Sequence, residues 1–484
     1  MACSIGDSSE KRRKEQPSFT CLQGRPDPSD RLFRSEVVDA YLTDVLPRFK
    51  DGRLAEIFNA TLPNALDTTF YKASLEDTFV ITGDIEAMWL RDATFQVMPY
   101  LNPRFINEDG KLREAICGLV QRQARSILLD AYANAFNYDD NGHGHQDDRR
   151  IPKMKAEIFE GKFELDSLAS FLKLSNLYFL RTGDSHCFVR GEDNVWLRAV
   201  DKVLATLEDQ QMSTDEQGEC PPYQFWRSEN DLTNNGTGPP ASRTNMIRST
   251  FRPSDDPVTF PFHIPSNYFA YTELVRLNHT LSSLSLGQRI EKKGLAADKA
   301  AKTASKAVAI AQAVKQGLAE HAFAANPANS SEKILTYEVD GFGSRIFMDD
   351  ANAPSLLSLP YLGSMEKDDV IFMATKKFVL GSTNPFYYKG TAGQGIGGPH
   401  VGYGWIWPLS IIYSLFSAQS NNEILKGLDL LKASTANTFC MHESFFKDDV
   451  FRFTRSWFAW ANSAFAELIL HLIESEPHLI LKEG

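Results

Sequence analysis

WFAWANSAFAELILHLIE, residues 457–474, is apolar on most sides when wound at the helical period, as expected of a helix buried inside a protein rather than laid on its surface. Outward from it, the other periodic stretches are amphipathic. Leu112, Ala115, Ile116, Leu119, Val120, Ile127 and Leu128 share one face across 111–130. Leu168, Phe171, Leu172, Ser175 and Tyr178 do so across 166–182, and Val195, Trp196, Ala199, Val200, Val203, Leu204 and Leu207 across 194–209. Residues 296–320, rich in Ala and Lys, are strong helix formers. Alternating period-2 runs are few; Tyr337 to Val339 is one brief candidate for a strand. No Pro/Gly/Ser linker divides the chain after residue 35. Long helices joined by long loops therefore predict one all-α domain over 35–484, a toroid of helical hairpins whose loops form a pocket at one end. Residues 1–34 are polar, with a basic cluster at Lys11, Arg12, Arg13 and Lys14, and read as a flexible tail.

Composition narrows the function. A hydrophobic share of 43% and a charged share of 23% fit a soluble globule with a sizeable core. A net charge of −11 argues against sequence-independent grip on nucleic acid or an anionic membrane, since both need a positive surface. No apolar run of about 18 residues is present to span a bilayer. The first residues, MACSIGDSSEKRRKEQ, hold no apolar core of a secretory signal, which points to the cytoplasm. Cys3, Cys21, Cys117, Cys187, Cys220 and Cys440 form no CxxC pair and read as free thiols in a reducing compartment. Sequons begin at Asn59, Asn235, Asn278 and Asn329 and weigh little without a signal. A monomer is the expected state.

Three segments have the residues for chemistry. In ITGDIEAMWLRDATFQVMPYL, residues 81–101, Asp84 can cap a helix starting at Ile85, with Glu86 in its first turn. Asp84, Glu86 and Asp92 fall near Arg91 and Trp89, among Met88 and Leu90. A capped helix with an Arg91–Asp92 surface pair would account for them. So would a polyhydroxylated ligand, which supplies partners to charges held in apolar company. In STFRPSDDPVTFPFHIPSNYF, residues 249–269, a proline every four residues forbids a helix and leaves Asp255 and Asp256 on a stiff extended loop, pointing to opposite sides. In CMHESFFKDDVFRFTRSWFAW, residues 440–460, Glu443 stands between His442 and two phenylalanines, either pinned by hydrogen bonds or an ordinary loop glutamate paired with Lys447 or Arg452. A softer group comprises Asn134, Asn137, Glu164, Asp166, Asp349, Asp350, Asn352 and His400, whose types also suit caps and turns. The Gly-rich stretch 390–398 lacks the P-loop Lys-Ser/Thr and the dinucleotide spacing, and reads as a functional loop. No HExxH or GxSxG is present, and nothing demands a metal or other cofactor.

At these same segments the chain resembles glycoside hydrolase family 125. The strings are TGDIEAMWLRDATFQVMPYL, DAYANAFN, KFELDSL, FRPSDDPVTFPFHIPSNYFA, YEVDGFGSRIFMDDANAPSLLSLPYLG, NPFYYKG, HVGYGWIWP and MHESFF through WFAWAN, spanning roughly 36–475. The resemblance implies an (α/α)6 barrel with long active-site loops. It also implies a metal-independent, inverting exo-α-1,6-mannosidase that releases terminal mannose from mannose-containing oligosaccharides. It carries the general acid onto Asp255 and the general base onto Glu443, and the pocket for the terminal mannose onto Asp84, Arg91, Asp92 and His400; Trp89, Asn134, Asp166 and Asp256 are further candidates for binding the sugar. Before KFELDSL this chain reads AEIFEG where bacterial members carry a WIWERK-like string, and 139–158 differs too, so the leaving-group side departs from the pattern. Inversion needs one protonated carboxyl, one ionised carboxylate and room for a water between them, a gap of about 6.5–9.5 Å. Asp255 is thus expected to hold its proton near the working pH, through burial or the like charge of Asp256.

Overall fold

The buried stretch at 457–474 forms the last helix of an inner ring. The structure is a computed structural model that describes residues 21, 24–189, 194–227, 232–290 and 294–482. Six hairpins, each an outer helix followed by an inner one, follow in chain order. They are α1 (Gly52–Thr61) with α2 (Leu90–Val97), α3 (Gly110–Leu129) with α4 (Leu165–Thr182), α5 (Val195–Gln211) with α6 (Ile264–Ile290), α7 (Gly294–His321) with α8 (Leu359–Leu362), α9 (Val370–Val379) with α10 (Pro408–Phe416), and α11 (Asn421–Ser434) with α12 (Ala459–Ser475). The even-numbered helices touch in order, and α12 returns to α2, closing the inner ring. Outside it α3 packs on α5, α5 on α7, and α11 on α1. This is the expected (α/α)6 barrel.

Burial follows the hydrophobic pattern. Every residue of α2 is buried, whereas α11 buries only Ile424, Leu428, Leu431 and Ser434. At the centre Phe95 of α2 stacks on Trp460 of α12, ring centroids 5.2 Å apart, and Trp460 Nε1 donates to Tyr413 on α10 at 3.0 Å. The expected Ala/Lys-rich helix is α7, and the brief strand candidate at Tyr337 to Val339 pairs over Glu338–Val339.

The two ends of the barrel differ. All outer-to-inner connections are long, and short strands lie in them. β1 (Met88–Trp89), β2 (Ala135–Phe136) and β3 (Ile158–Glu160) form one sheet. β4 (Phe262–His263), β5 (Glu338–Val339) and β6 (Arg345–Ile346) form a second, and β7 (Trp405–Ile406), β8 (Ser444–Phe446) and β9 (Asp449–Thr454) a third. The Gly-rich stretch belongs to this end as a hairpin, in which Tyr387–Lys389 pairs with Gln394–Ile396.

Helix starts also differ between the rings. Outer helices are capped by side chains: Asp51 on α1, Asp109 on α3, Asn194 on α5, Asp369 on α9 and Ser420 on α11. Inner helices α2, α4, α10 and α12 begin after Trp89, Glu164, Trp407 and Phe458 with no side-chain cap. Their positive ends therefore turn toward the loop end of the barrel.

Two expectations change here. Residues 1–20 lie outside the described residues, but the segment read as a tail over 1–34 is tied down where it is described. Arg25 bonds Asp67 and Asp39, each at 2.8 Å, and Cys21 is bonded to Cys440. The free-thiol reading fails as well: Cys21 pairs with Cys440 and Cys117 with Cys187, both in the core, while Cys220 is free and exposed. Partners separated by 419 and 70 residues leave no local signature in the sequence.

Candidate active site

The starts of α2, α10 and α12 line a cavity of about 340 Å³. Trp89, Arg91, Asp92, Asp255, His400 and Glu443 line it, together with Thr82, Ile85, Pro253, Ser254, Asn352, Trp407, Arg455, Phe458 and Trp460. Larger cavities of about 650 Å³ beside Tyr178 and about 620 Å³ beside Glu467 lie away from these helix starts. On this cavity Thr82 Oγ1, Trp89 Nε1, Asp92 Oδ2, Ser254 Oγ and Trp407 Nε1 are buried without a hydrogen-bond partner among the described residues. Buried polar atoms are normally bonded, so an uncommitted set on one wall is suited to a ligand rich in hydroxyls.

Arg91 and Asp92 lie in the first turn of α2, and the helix expected from Ile85 starts only at Leu90. Gly83, at φ +60°, turns the chain before it, so Asp84 caps nothing and instead pairs with Arg455 at 2.6 Å on the cavity rim. Arg91 is no surface residue. Its Nη1 donates to Glu164 at 2.7 Å and to Asp166 at 3.2 Å, and its Nη2 to Asp255 at 3.2 Å, with Asp92 at 3.5 Å. Asn134, beside β2, donates from Nδ2 to Glu164 at 3.0 Å, to Glu160 at 3.1 Å and to Asp255 at 3.5 Å. Asn134 and Asp166 therefore sit behind the cavity wall and hold the groups that face it.

Asp255 does not lie on extended backbone. Its φ is +65°, at the tip of a turn closed by Asp255 N–H to Arg252 O at 2.9 Å and Arg252 N–H to Asp256 O at 2.8 Å. Aspartate tolerates this left-handed conformation better than most residues. Arg252 anchors the turn to β5 through Glu338 at 2.6 Å, and the same carboxylate accepts from the N–H groups of Thr259 and Phe260. The two aspartates do take different partners: Asp255 faces Arg91, while Asp256 faces His400 at 3.7 Å.

Glu443 immediately precedes β8. His442 beside it stacks on Phe453, centroids 3.7 Å apart, and bonds the carbonyls of Arg455 and Thr435. The partner of Glu443 is Arg455 at 3.4 Å, not Lys447 or Arg452, because Lys447 goes to Asp448 and Arg452 lies over the Phe446 ring. Arg455 bridges Glu443 to Asp84 and so ties two distant loops together.

Electrostatics separate these carboxyls. Burial pushes Asp92 and Asp166 up to about 6 against the pull of Arg91. Burial also pushes Glu164 well above the usual carboxylate range, with Asp255 and Asp166 adding to it. Burial acts the same way on Asp255, but Arg91, Lys162, a hydrogen bond with Glu164 and His400 outweigh it and hold that carboxyl well below the usual range. The two carboxyls are thus pushed in opposite directions, Asp255 down and Glu164 up. His400 is raised to about 9, chiefly by Asp256.

Sequence reasoning singled out Glu164 only as one of the softer polar group, and missed Lys162 and Arg455, although all three lie inside quoted motifs. Among the described residues no set of three or more His, Cys, Asp or Glu side chains is arranged to hold a metal, and no helix is long and apolar enough to cross a membrane.

A family model for metal-independent α-mannosidases (GH125) matches residues 51–470. The meiotically up-regulated gene 157 protein of Schizosaccharomyces pombe is 41% identical, over 95% of this chain and 90% of its own length. A solved metal-independent α-mannosidase of Streptococcus pneumoniae, in a non-productive substrate complex with α-1,6-mannobiose, is 35% identical. It matches 92% of this chain and 99% of its own, at a TM-score of 0.83. A family 78 rhamnosidase of a Bacillus species shares the fold alone: 12% identity and a TM-score of 0.51, over 88% of this chain and 35% of its own.

Proposed function

Since the chain belongs to glycoside hydrolase family 125, the metal-independent α-mannosidases, we propose that it is an inverting exo-α-1,6-mannosidase with Asp255 as general acid and Glu443 as general base. The observation that carries this reading is that Asp255 and Glu443, from loops far apart in the chain, line one small cavity with Trp89, Trp407 and Trp460. At about 340 Å³ it is near the small end of ligand pockets and suits one sugar ring with an attacking water, hence cleavage at a chain end. The complex of the Streptococcus pneumoniae relative with α-1,6-mannobiose supports the linkage.

In this reading Asp255 protonates the leaving oxygen while Glu443 takes a proton from a water on the opposite face of C1. Asp84, Trp89, Arg91, Asp92 and His400 hold the terminal mannose. Asn134, Asp166 and Asp256 position them from behind. The protein acts as a monomer on mannose-terminated oligosaccharides, with no nucleic-acid or membrane partner. Two disulfides favour an oxidising compartment over the cytoplasm expected from the N-terminus.

A proton NMR time course with α-1,6-mannobiose in EDTA tests the reading. Early β-mannose is expected; early α-mannose means retention and overturns the Asp255/Glu443 scheme, and no hydrolysis overturns the linkage.

A further inference from the structure

Four carboxyls, Asp92, Glu164, Asp166 and Asp255, surround the single guanidinium of Arg91. The side chains of Glu164 and Asp166 are wholly buried, Asp92 nearly so, and Asp255 is 23% exposed. The next cation, Lys162, is shared with Glu160 at 3.2 Å, and Glu160 is also held by Arg227 at 2.7 Å. Such a surplus of acid in a dry site cannot be fully ionised, so protons remain in it.

One of them has a defined place. Arg91 donates to both Glu164, at 2.7 Å, and Asp255, at 3.2 Å, and Glu164 is the more deeply buried of the two. Two carboxyls gathered on the same donors share a proton, because like charge disfavours ionising both, and the more buried one keeps it. Asn134 Nδ2 reaches both groups and holds them side by side. The other groups facing the pair are Arg91, Asp92, Lys162, Glu160, Asp166 and His400.

We propose that Glu164 is the proton store of the general acid: it holds the shared proton in the empty site and passes it to Asp255 when a mannoside enters. This rests on the reading of Asp255 as the acid. The Glu164 O–H bond breaks as an Asp255 O–H bond forms. The Asp255 O–H bond then breaks as the glycosidic oxygen takes the proton and its bond to C1 opens. Water adds to C1 and loses a proton to Glu443. Release of that proton to solvent and uptake of another by the Glu164–Asp255 pair restore the site. The carboxylate left on Glu164 is received by preformed bonds from Arg91 at 2.7 Å and Ser167 at 3.0 Å. Glu164 acts through Asp255 and is a positioning residue.

The test follows kcat/KM against pH for Glu164→Gln, Glu164→Asp and Asp255→Asn. It uses α-1,6-mannobiose and a dinitrophenyl α-mannoside whose leaving group needs no proton. Glu164→Gln should lose about a hundredfold or more on mannobiose at neutral pH and less than about tenfold on the dinitrophenyl substrate. The alkaline limb of its profile should move down by more than about one pH unit, and Glu164→Asp should restore the limb. An unmoved limb, or equal losses on both substrates, overturns the proposal. An Asp255→Asn variant that keeps near wild-type rate on mannobiose overturns the assignment of Asp255 instead. A second measurement needs no variant: infrared difference spectra of wild-type protein with ¹³C-labelled glutamate carboxyls, taken on adding thio-linked α-1,6-mannobiose. Loss of a labelled protonated band with gain of an unlabelled one is expected, and an unchanged labelled band sinks the idea.

Discussion

Arg91→Met removes the guanidinium that four carboxyls share, and its cost should depend on pH in a defined direction. In the wild type the arginine lies 2.7 Å from Glu164, 3.2 Å from Asp166 and Asp255, and 3.5 Å from Asp92. Removing one partner of a buried ion pair costs about 3–5 kcal/mol, which we expect at about pH 7.5. Without Arg91, burial also dominates at Asp255, and its native pKa rises above the unfolded value. A native state that binds more protons than the unfolded one is most stable at low pH and loses stability as pH rises through the native pKa. In the wild type Asp255 is held below its usual range, so it contributes stability that is fully present above its unfolded pKa and adds no slope near neutrality. For Asp255 the difference is one proton, worth about 1.4 kcal/mol per pH unit, and Asp92 and Asp166, which lose the same partner, add in the same direction. Over about two units, from about pH 7.5 to 5.5, Asp255 alone should therefore close the gap between the proteins by up to about 2.7 kcal/mol. Urea unfolding of both proteins at the two pH values measures it. A gap that stays constant, or widens as the pH falls, refutes the argument.

Asp255→Asn and Glu443→Gln should each cut turnover of α-1,6-mannobiose by about 10²–10⁴-fold with little change in Tm; near wild-type rate in either removes that residue from the proposed pair. Arg455→Ala unties Glu443 from Asp84, a charge-assisted bond of about 1.5–3 kcal/mol, and should lower kcat/KM by about tenfold or more; unaltered kinetics would mean the bridge does not orient the base. Cys117→Ser opens a bridge across 70 residues and should cost about 4 kcal/mol by loop-closure entropy, read as a lower urea midpoint; an unshifted midpoint contradicts the pairing. The stability His400 contributes should be fully present below its unfolded pKa of about 6.5 and lost as pH rises through about 9. His400→Gln should flatten that span of the stability profile, and an unchanged slope would exclude the Asp256 contact as its cause.

The cavity wall was partly legible. Trp89, Arg91, Asp92, Asp255, His400 and Glu443 each stood out as polar or aromatic groups in ill-matched company, and all of them line the cavity. Arg455 did not stand out, because an arginine near the end of a charged hairpin looks like a solvated one until its partners are known. Glu164 stood only among the softer polar group, and it is the residue immediately before α4. Nothing within its own segment indicates that it lies against Asp255 from a different loop.

Local pattern determined what depends on neighbours along the chain. The stretch 457–474 became a buried helix because it is apolar on most sides, 111–130 an outer helix because it is apolar on one, and 249–261 no helix because prolines at 253, 257 and 261 interrupt it. Only the tertiary structure decided what acts through space. The left-handed turn at Asp255 exists because Arg252 is anchored to Glu338, and the disulfides exist because the barrel brings remote cysteines together. Asp255 is pushed below the usual carboxylate range and Glu164 above it because burial and Coulomb forces depend on distance between atoms and not on separation in sequence.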